Sequence, residues 1–165
     1  MQTDKFEFRN IRSDEAEQTA RIEQICFSPN KACSEDYMKK IAMNAPELFF
    51  VAIDKCSGKI AGFINALTTD ESTFRDDFFT DADLHRPNGR NVMILGLAVL
   101  PEYRRQGLAY KLMDILKSKQ KKRNTIVLTC LESKVEMYKK MNFHDNGISQ
   151  SSWGAEEWHE MICRL

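Results

Sequence analysis

Phe6 and Phe8 alternate with polar neighbours, the period-two pattern of a half-buried strand, and this first strand is expected to end near Ile11. The period then changes. Ser13 stands where a helix N-cap would, Asp14 and Glu15 fall in the first turn, and Ile22, Ile25 and Cys26 recur at helical spacing, which predicts a helix over residues 14–27. Ser34 repeats the signal: Glu35 and Asp36 follow it, Tyr37, Met38, Ile41 and Ala42 form an apolar stripe, and Asn44 and Pro46 stop the helix. Two apolar strands, 48–53 and 60–67, flank Lys55-Cys56-Ser57-Gly58-Lys59, where Ser-Gly suits a tight turn, so the pair is expected to run antiparallel.

Residues 68–90 are polar and too many for a plain loop, which predicts a lid or short helices. Beyond them the pattern sharpens into a central strand at 91–99, a helix at 108–119, a buried strand at 125–130 and a helix at 134–141. Asn142 then occupies a helix C-terminal position that tends to be left-handed, and strands at 143–149 and 158–164 close the fold around Gly154. The result is an α/β (α+β) layer architecture.

At 165 residues the chain can bury one proper core, and no repeat, low-complexity tract or Pro/Gly-rich linker divides it, so a single domain over residues 1–165 is expected. Its 24 basic and 24 acidic residues cancel, which removes any global electrostatic case for a nucleic-acid or membrane partner. The basic run 117–123 reads as a solvated helix end that complements the helix dipole. No stretch approaches the ~20 apolar residues of a membrane span, and Met1-Gln2-Thr3-Asp4-Lys5 does not read as a signal peptide; a cytoplasmic location is expected. Five cysteines, an odd number without a C-x-x-C pair, read as reduced thiols, and Cys130 in its apolar strand as a small core residue. His144 and His159 lack a metal-ligand spacing, so no metal is assigned.

The most telling stretch is Arg104-Arg105-Gln106-Gly107-Leu108-Ala109, set between the central strand and the helix that follows. A Gly turn feeding a helix leaves first-turn N–H groups without intrahelical partners, and those donors suit an anion. The stretch lacks the Gly-Lys-Ser/Thr of a P-loop and the three glycines of a dinucleotide fingerprint. It resembles Arg/Gln-x-x-Gly-x-Gly/Ala, the acetyl-CoA motif of the GNAT N-acetyltransferase superfamily. Leu84-His85-Arg86-Pro87-Asn88-Gly89, Leu97-Ala98-Val99, Val127-Leu128-Thr129-Cys130, 135–143 and the tail 160–165 are similar in order and spacing to its serotonin (arylalkylamine) branch. The likeness runs from about Pro46 to the C-terminus; residues 1–45 match only in their strand-then-helices pattern.

The resemblance implies a GNAT fold, a mixed and mostly antiparallel twisted sheet of about seven strands flanked by about four helices, with the two N-terminal helices bordering the acceptor site. It implies acetyl-CoA as cosubstrate, its pantetheine arm on the backbone of Leu97, Ala98 and Val99, and its pyrophosphate at Arg104, Arg105, Gln106, Gly107, Leu108, Ala109 and Tyr110. Tyr138, in the matching Tyr-x-x-x-Gly-Phe pattern with Asn142 in place of Gly, is the expected general acid for the departing thiolate. The base is where the resemblance breaks. The branch carries His-Leu-His before Leu-Ala-Val, and this chain has Met93-Ile94-Leu95; water relayed to Glu71, Asp70 or His85 is the substitute route, although His85 beside proline also reads as a loop hydrogen-bonding residue.

Asp70, Glu71, Asp76, Asp77, Asp81 and Asp83, with Phe74, Phe78 and Phe79 among them, read equally as an amine-attracting lid and as a solvated surface helix with its rings turned inward. Trp153 and Trp158 are expected to close the sheet rather than cover a partner. The expected activity is acetyl transfer to a primary amine, a small molecule first, by direct attack in a ternary complex. A protein or peptide acceptor, which needs an open groove, and a non-catalytic acyl-CoA-binding module are the alternatives. Dimers are frequent in the superfamily, so a homodimer is an expectation to test.

Overall fold

The computed structural model describes residues 2–165; the first residue of the stretch read above for a leader lies outside them. Seven strands form one sheet: β1 (Phe6–Asn10), β2 (Phe49–Asp54), β3 (Ile60–Thr69), β4 (Asn91–Val99), β5 (Thr125–Cys130), β6 (His144–Ile148) and β7 (His159–Arg164). Their order is β1-β2-β3-β4-β5-β7-β6, antiparallel throughout except for the parallel pair β4–β5. Four helices flank the sheet: α1 (Ala16–Cys26), α2 (Glu35–Asn44), α3 (Leu108–Lys119) and α4 (Val135–Lys140). This is the expected mixed, mostly antiparallel architecture.

Strand β3 is buried along its whole length, with helices α1 and α3 both packed against it. Phe49 and Phe63 pack at its centre, ring centroids 5.5 Å apart and neither exposed. The turn before it puts Gly58 at φ +74, as the Ser-Gly reading requires. Ser34 caps α2 as expected, its hydroxyl accepting from the Tyr37 N–H at 3.1 Å, a contact worth about 1 kcal/mol.

The first helix starts differently from its expected form. Residues Ser13–Glu15 make a 3-10 turn, Arg12 occupies the N-cap, and the Glu15 carboxylate reaches back to the Arg12 N–H at 2.8 Å. Its inward face is Ala16, Thr19, Ala20, Ile22 and Glu23, while Ile25 points outward at 61% exposure. Helical spacing suggested Ile25 for the core because it counts only apolar residues; the stripe that faces the sheet carries a carboxylate instead.

Residues 70–90 hold two 3-10 turns, Asp76–Phe79 and Ala82–Leu84. Phe74, Phe78 and Phe79 are buried, the Phe74 ring packing edge-on to Phe78 and tilted against Phe79, which is the inward-ring reading. The acidic groups are spent locally: Glu71 and Asp77 pair with Arg75, Asp70 with Arg90, and Asp76 accepts from the Ser151 hydroxyl and the Ser152 N–H.

Two irregularities in β4 shape what lies above the sheet. Asn65 pairs with Gly96 but Ala66 with Ile94, so Leu95 is an extra, bulged residue. On the other side β4 pairs with β5 only through Asn91, Val92 and Met93. From Ile94 onward the two parallel strands part.

Candidate active site

The gap between the parted strands opens into a cleft of about 630 Å³. Its floor is β4 from Ile94 to Val99, one wall is Leu128–Leu131 with Met137 and Tyr138, and the other is the end of α1 and the loop behind it. Beyond Met93 the β5-facing edge of β4 has no strand partner, so its backbone is free to pair with an extended amide-bearing ligand.

At one end the cleft meets the start of α3. Gly107 is the N-cap at φ +79, and Arg105 is also left-handed at φ +65; alternating left-handed residues turn successive N–H groups toward one point. The N–H groups of residues 105–110 have no hydrogen-bond acceptor among the described residues, and the first helical bond begins at Lys111, which donates to the Gly107 carbonyl at 3.0 Å. Free donors and the positive end of a helix dipole coincide, as an anion requires. The two arginines divide. Arg104 donates through Nε to the Val99 carbonyl at 2.9 Å and lies 3.8 Å from the Cys26 sulfur, whereas Arg105 is exposed and has no side-chain partner among the described residues.

Every expected cofactor residue lines this cleft except Gln106. Tyr138 lines it too. Its phenol has no hydrogen-bond partner among the described residues, its ring lies edge-on to Phe143 at 5.9 Å, and burial pushes its pKa well up, so it stays protonated at neutral pH. Asn142 behind it is left-handed at φ +71, as expected for a residue in the place of Gly. Cys130 beside it is buried, and burial raises its thiol to about 12, which fits the expected small core residue rather than a nucleophile.

Across the cleft lies a residue that the sequence reading passed over. Glu23, 3% exposed, projects from α1 onto the bulge of β4: its Oε1 sits 3.4 Å from the point where a Cβ on Gly96 would stand, and its Oε2 accepts from the Cys33 N–H at 2.9 Å. Burial lifts its pKa to about 7 against the pull of the Cys33 contacts. The signal was available: Glu23 is three residues from Ala20 and seven from Ala16, a charge on an otherwise apolar helical stripe.

Aromatic side chains line a further part of the cleft. Phe27, Phe79, Trp153 and Trp158 line it, and Phe79 and Trp153 stack at 4.9 Å. The β6–β7 loop is tied to the α1–α2 loop by Trp153 Nε1 donating to the Lys31 carbonyl at 2.7 Å, Asn30 Nδ2 donating to the Gly154 carbonyl at 2.8 Å, and the Lys31–Glu156 ion pair at 3.2 Å. Gly154 is left-handed at φ +64, and a Cβ there would stand 2.8 Å from the Asn30 carbonyl oxygen, so only glycine permits the two loops to meet. The tryptophans thus wall the cleft rather than merely closing the sheet.

The substitute bases proposed from sequence are elsewhere. His85 is buried with Nδ1 accepting from the Thr68 N–H at 3.1 Å and Nε2 3.1 Å from Glu47, the loop hydrogen-bonding role; burial holds its pKa down. Glu71 and Asp70 are bound to arginines outside the cleft, and of the acidic segment only Phe79 reaches it. A larger but shallower hollow of about 720 Å³ lies at the opposite end of the sheet around Arg90, Arg123 and Arg164 and is lined by none of the expected cofactor residues. Among the described residues there is no cluster able to hold a metal, and no helix is long and apolar enough to cross a membrane.

The family model for the acetyltransferase (GNAT) family matches residues 9–143, which takes in the N-terminal helices that the motif resemblance reached only in pattern. The loading GNATL domain of CurA from Lyngbya majuscula superposes with a TM-score of 0.82 at 14% identity, over 96% of this chain and 97% of that one. The ribosomal-protein-S18-alanine N-acetyltransferase from Escherichia coli gives 0.69 at 20% identity, over 97% and 94%. YncA, a putative acetyltransferase from Salmonella typhimurium solved with its cofactor acetyl-CoA, gives 0.67 at 13%, over 98% and 94%.

Proposed function

The chain belongs to the GNAT acetyltransferase family, and on that premise we propose that it transfers the acetyl group of acetyl-CoA to the primary amine of a small molecule, both substrates being held in the cleft at once. The observation that carries the cosubstrate is the continuity of three features in one cleft: the unpaired edge of β4, the free amides of residues 105–110 and the Tyr138 phenol. A structural neighbour with the same fold, YncA, holds acetyl-CoA. When bound, acetyl-CoA supplies an activated acyl carbon and a thiolate leaving group.

The residues of the chain then act in turn. The amides of Arg105, Gln106, Gly107, Leu108, Ala109 and Tyr110, with the Arg105 guanidinium, hold the pyrophosphate. The backbone of Leu97, Ala98 and Val99 pairs with the pantetheine amides, and an N–H there polarises the thioester carbonyl. Tyr138 gives its proton to the departing sulfur; the desolvation that raises its own pKa also raises the basicity of the thiolate it meets.

The aromatic lining of the cleft supports a small acceptor. Two loops tied to each other border the cleft, and its Phe and Trp side chains suit an amine with a flat apolar body, the class that the arylalkylamine resemblance implies. The five free thiols fit a reducing compartment such as the cytoplasm. The test is thiol release from acetyl-CoA over a panel of arylalkylamines, polyamines, aminoglycosides and short peptides. A small-amine hit supports the proposal, a peptide-only hit replaces the acceptor class, and acetyl-CoA binding without transfer to any amine replaces the enzyme by a binding module.

A further inference from the structure

The missing imidazoles leave the proton of the acceptor amine without a destination, since an alkylammonium with a pKa near 10 is protonated at neutral pH and cannot attack. Two oxygen acceptors converge above Gly96, beside the point where β4 and β5 part. Oδ1 of Asn65, a residue 1% exposed, lies 3.2 Å from the place a Gly96 Cβ would occupy and has no hydrogen-bond partner, and Oε1 of Glu23 lies 3.4 Å from the same place. The unpartnered Asn65 oxygen is a buried acceptor that costs stability, and both oxygens lie within 3.4 Å of the one point where the cleft floor lacks a side chain. Among the described residues Glu23 has no cationic partner.

We propose that Glu23 is the general base of the reaction, taking the proton of the acceptor ammonium at the bulge of β4, with Asn65 as a positioning residue that receives the hydrogen of the protonated carboxyl. The inference rests on the acetyltransferase reading above. The Glu23 carboxylate removes one N–H proton, and the freed nitrogen lone pair forms the N–C bond at the thioester carbon. The C–S bond then breaks, its electron pair leaving on sulfur, which takes the Tyr138 proton. The second proton lost from nitrogen returns to the Tyr138 phenolate, and Glu23 releases its own proton to solvent. The sum is ammonium plus thioester giving amide, thiol and one proton.

The titratable groups that face Glu23 are the Cys33 thiol and the Tyr37 phenol, both pushed far up by burial and so neutral, with Cys26 beyond them, also raised by burial and near Arg104. The carboxyl of Glu23 is thus the one group of this cluster that changes charge near neutral pH.

The experiment measures steady-state kinetics of wild type and Glu23→Gln against an amine that the wild type acetylates, from pH 6 to 10, with acetyl-CoA binding by calorimetry as the control for folding. Glu23→Gln is expected to lower kcat at pH 7 by about 100-fold or more, to leave acetyl-CoA affinity within a factor of about 2, and to recover toward wild-type rates at high pH, where the amine deprotonates unaided. Should Glu23→Gln fail to bind acetyl-CoA, Glu23→Asp, which draws the acid back by one methylene, is used and is expected to lower kcat while keeping binding. Unchanged kcat in a variant that binds acetyl-CoA overturns the proposal, as does a raised KM for the amine with kcat intact, which would make Glu23 an ammonium anchor only. If the wild type acetylates no amine, it is the acetyltransferase reading that fails.

Discussion

Glu23→Gln has a second consequence, on stability, that needs no substrate. The carboxyl is raised from 4.5 to about 7 by burial, so between those two values the native state keeps a proton that the unfolded chain has already released. Because the folded pKa lies above the unfolded one, stability attributable to this group is fully present below about pH 4.5 and is lost as pH rises toward 7. Holding the proton from 4.5 up to about 7, at about 1.36 kcal/mol for each tenfold change in proton affinity, amounts to roughly 3 kcal/mol. Glutamine keeps an oxygen for the Cys33 N–H and does not titrate. Urea unfolding of both proteins from pH 4.5 to 8 isolates the effect. Glu15, Glu71 and Asp145, held low by Arg9, by Arg75 and by the Gly147 N–H, drive stability the other way, but they do so in both proteins and cancel in the difference. The variant is expected to gain roughly 3 kcal/mol on wild type between pH 4.5 and 7.5, and nothing further above that. A difference that does not vary with pH would refute the reasoning, because it would mean that Glu23 ionises as a solvated carboxyl does.

Other perturbations probe the remaining parts of the cleft. Tyr138→Phe is expected to lower turnover at least about tenfold with acetyl-CoA affinity little changed, measured by steady-state kinetics beside calorimetry. Arg105→Ala is expected to weaken acetyl-CoA binding by about tenfold, since its guanidinium is free for phosphate, while Arg104→Ala, whose group is engaged with Val99, costs less affinity in the same titration. Gly107→Val, which forces a branched residue to φ +79, is expected to lose about 1–2 kcal/mol in urea unfolding as well as acetyl-CoA affinity. Asp76→Asn is expected to raise the KM for the amine by loosening Ser151 and Ser152 in the β6–β7 loop, and Asp77→Asn, on a carboxylate outside the cleft, to leave it unchanged.

The central part of the fold was legible in the sequence because local and tertiary preferences agree there. Strand β4, helix α3 and strand β5 run over the residues the pattern marks, each an unbroken apolar segment or amphipathic stripe with Gly107 between the first two. The anion-binding turn was legible for the same reason. Around α1 the two disagree: Ile25 obeys helical spacing yet faces solvent, and Glu23, which spacing assigns to the core, is a charge that only the cleft accounts for. The role of residues 70–83 depended on which groups their carboxylates would find, and Arg75, Arg90, Ser151 and Ser152 are brought there by tertiary packing. The joining of the α1–α2 and β6–β7 loops depends on contacts between residues more than 120 positions apart, such as Trp153 with Lys31, which no local pattern encodes.

The most direct test of the central claim is mass detection of the N-acetylated product after wild-type protein meets acetyl-CoA and a ring-bearing primary amine, with Tyr138→Phe run in parallel. The account predicts an acetylated amine formed by wild type and strongly diminished in the variant. Acetyl-CoA bound in the cleft with no acetylated amine from either protein would contradict it.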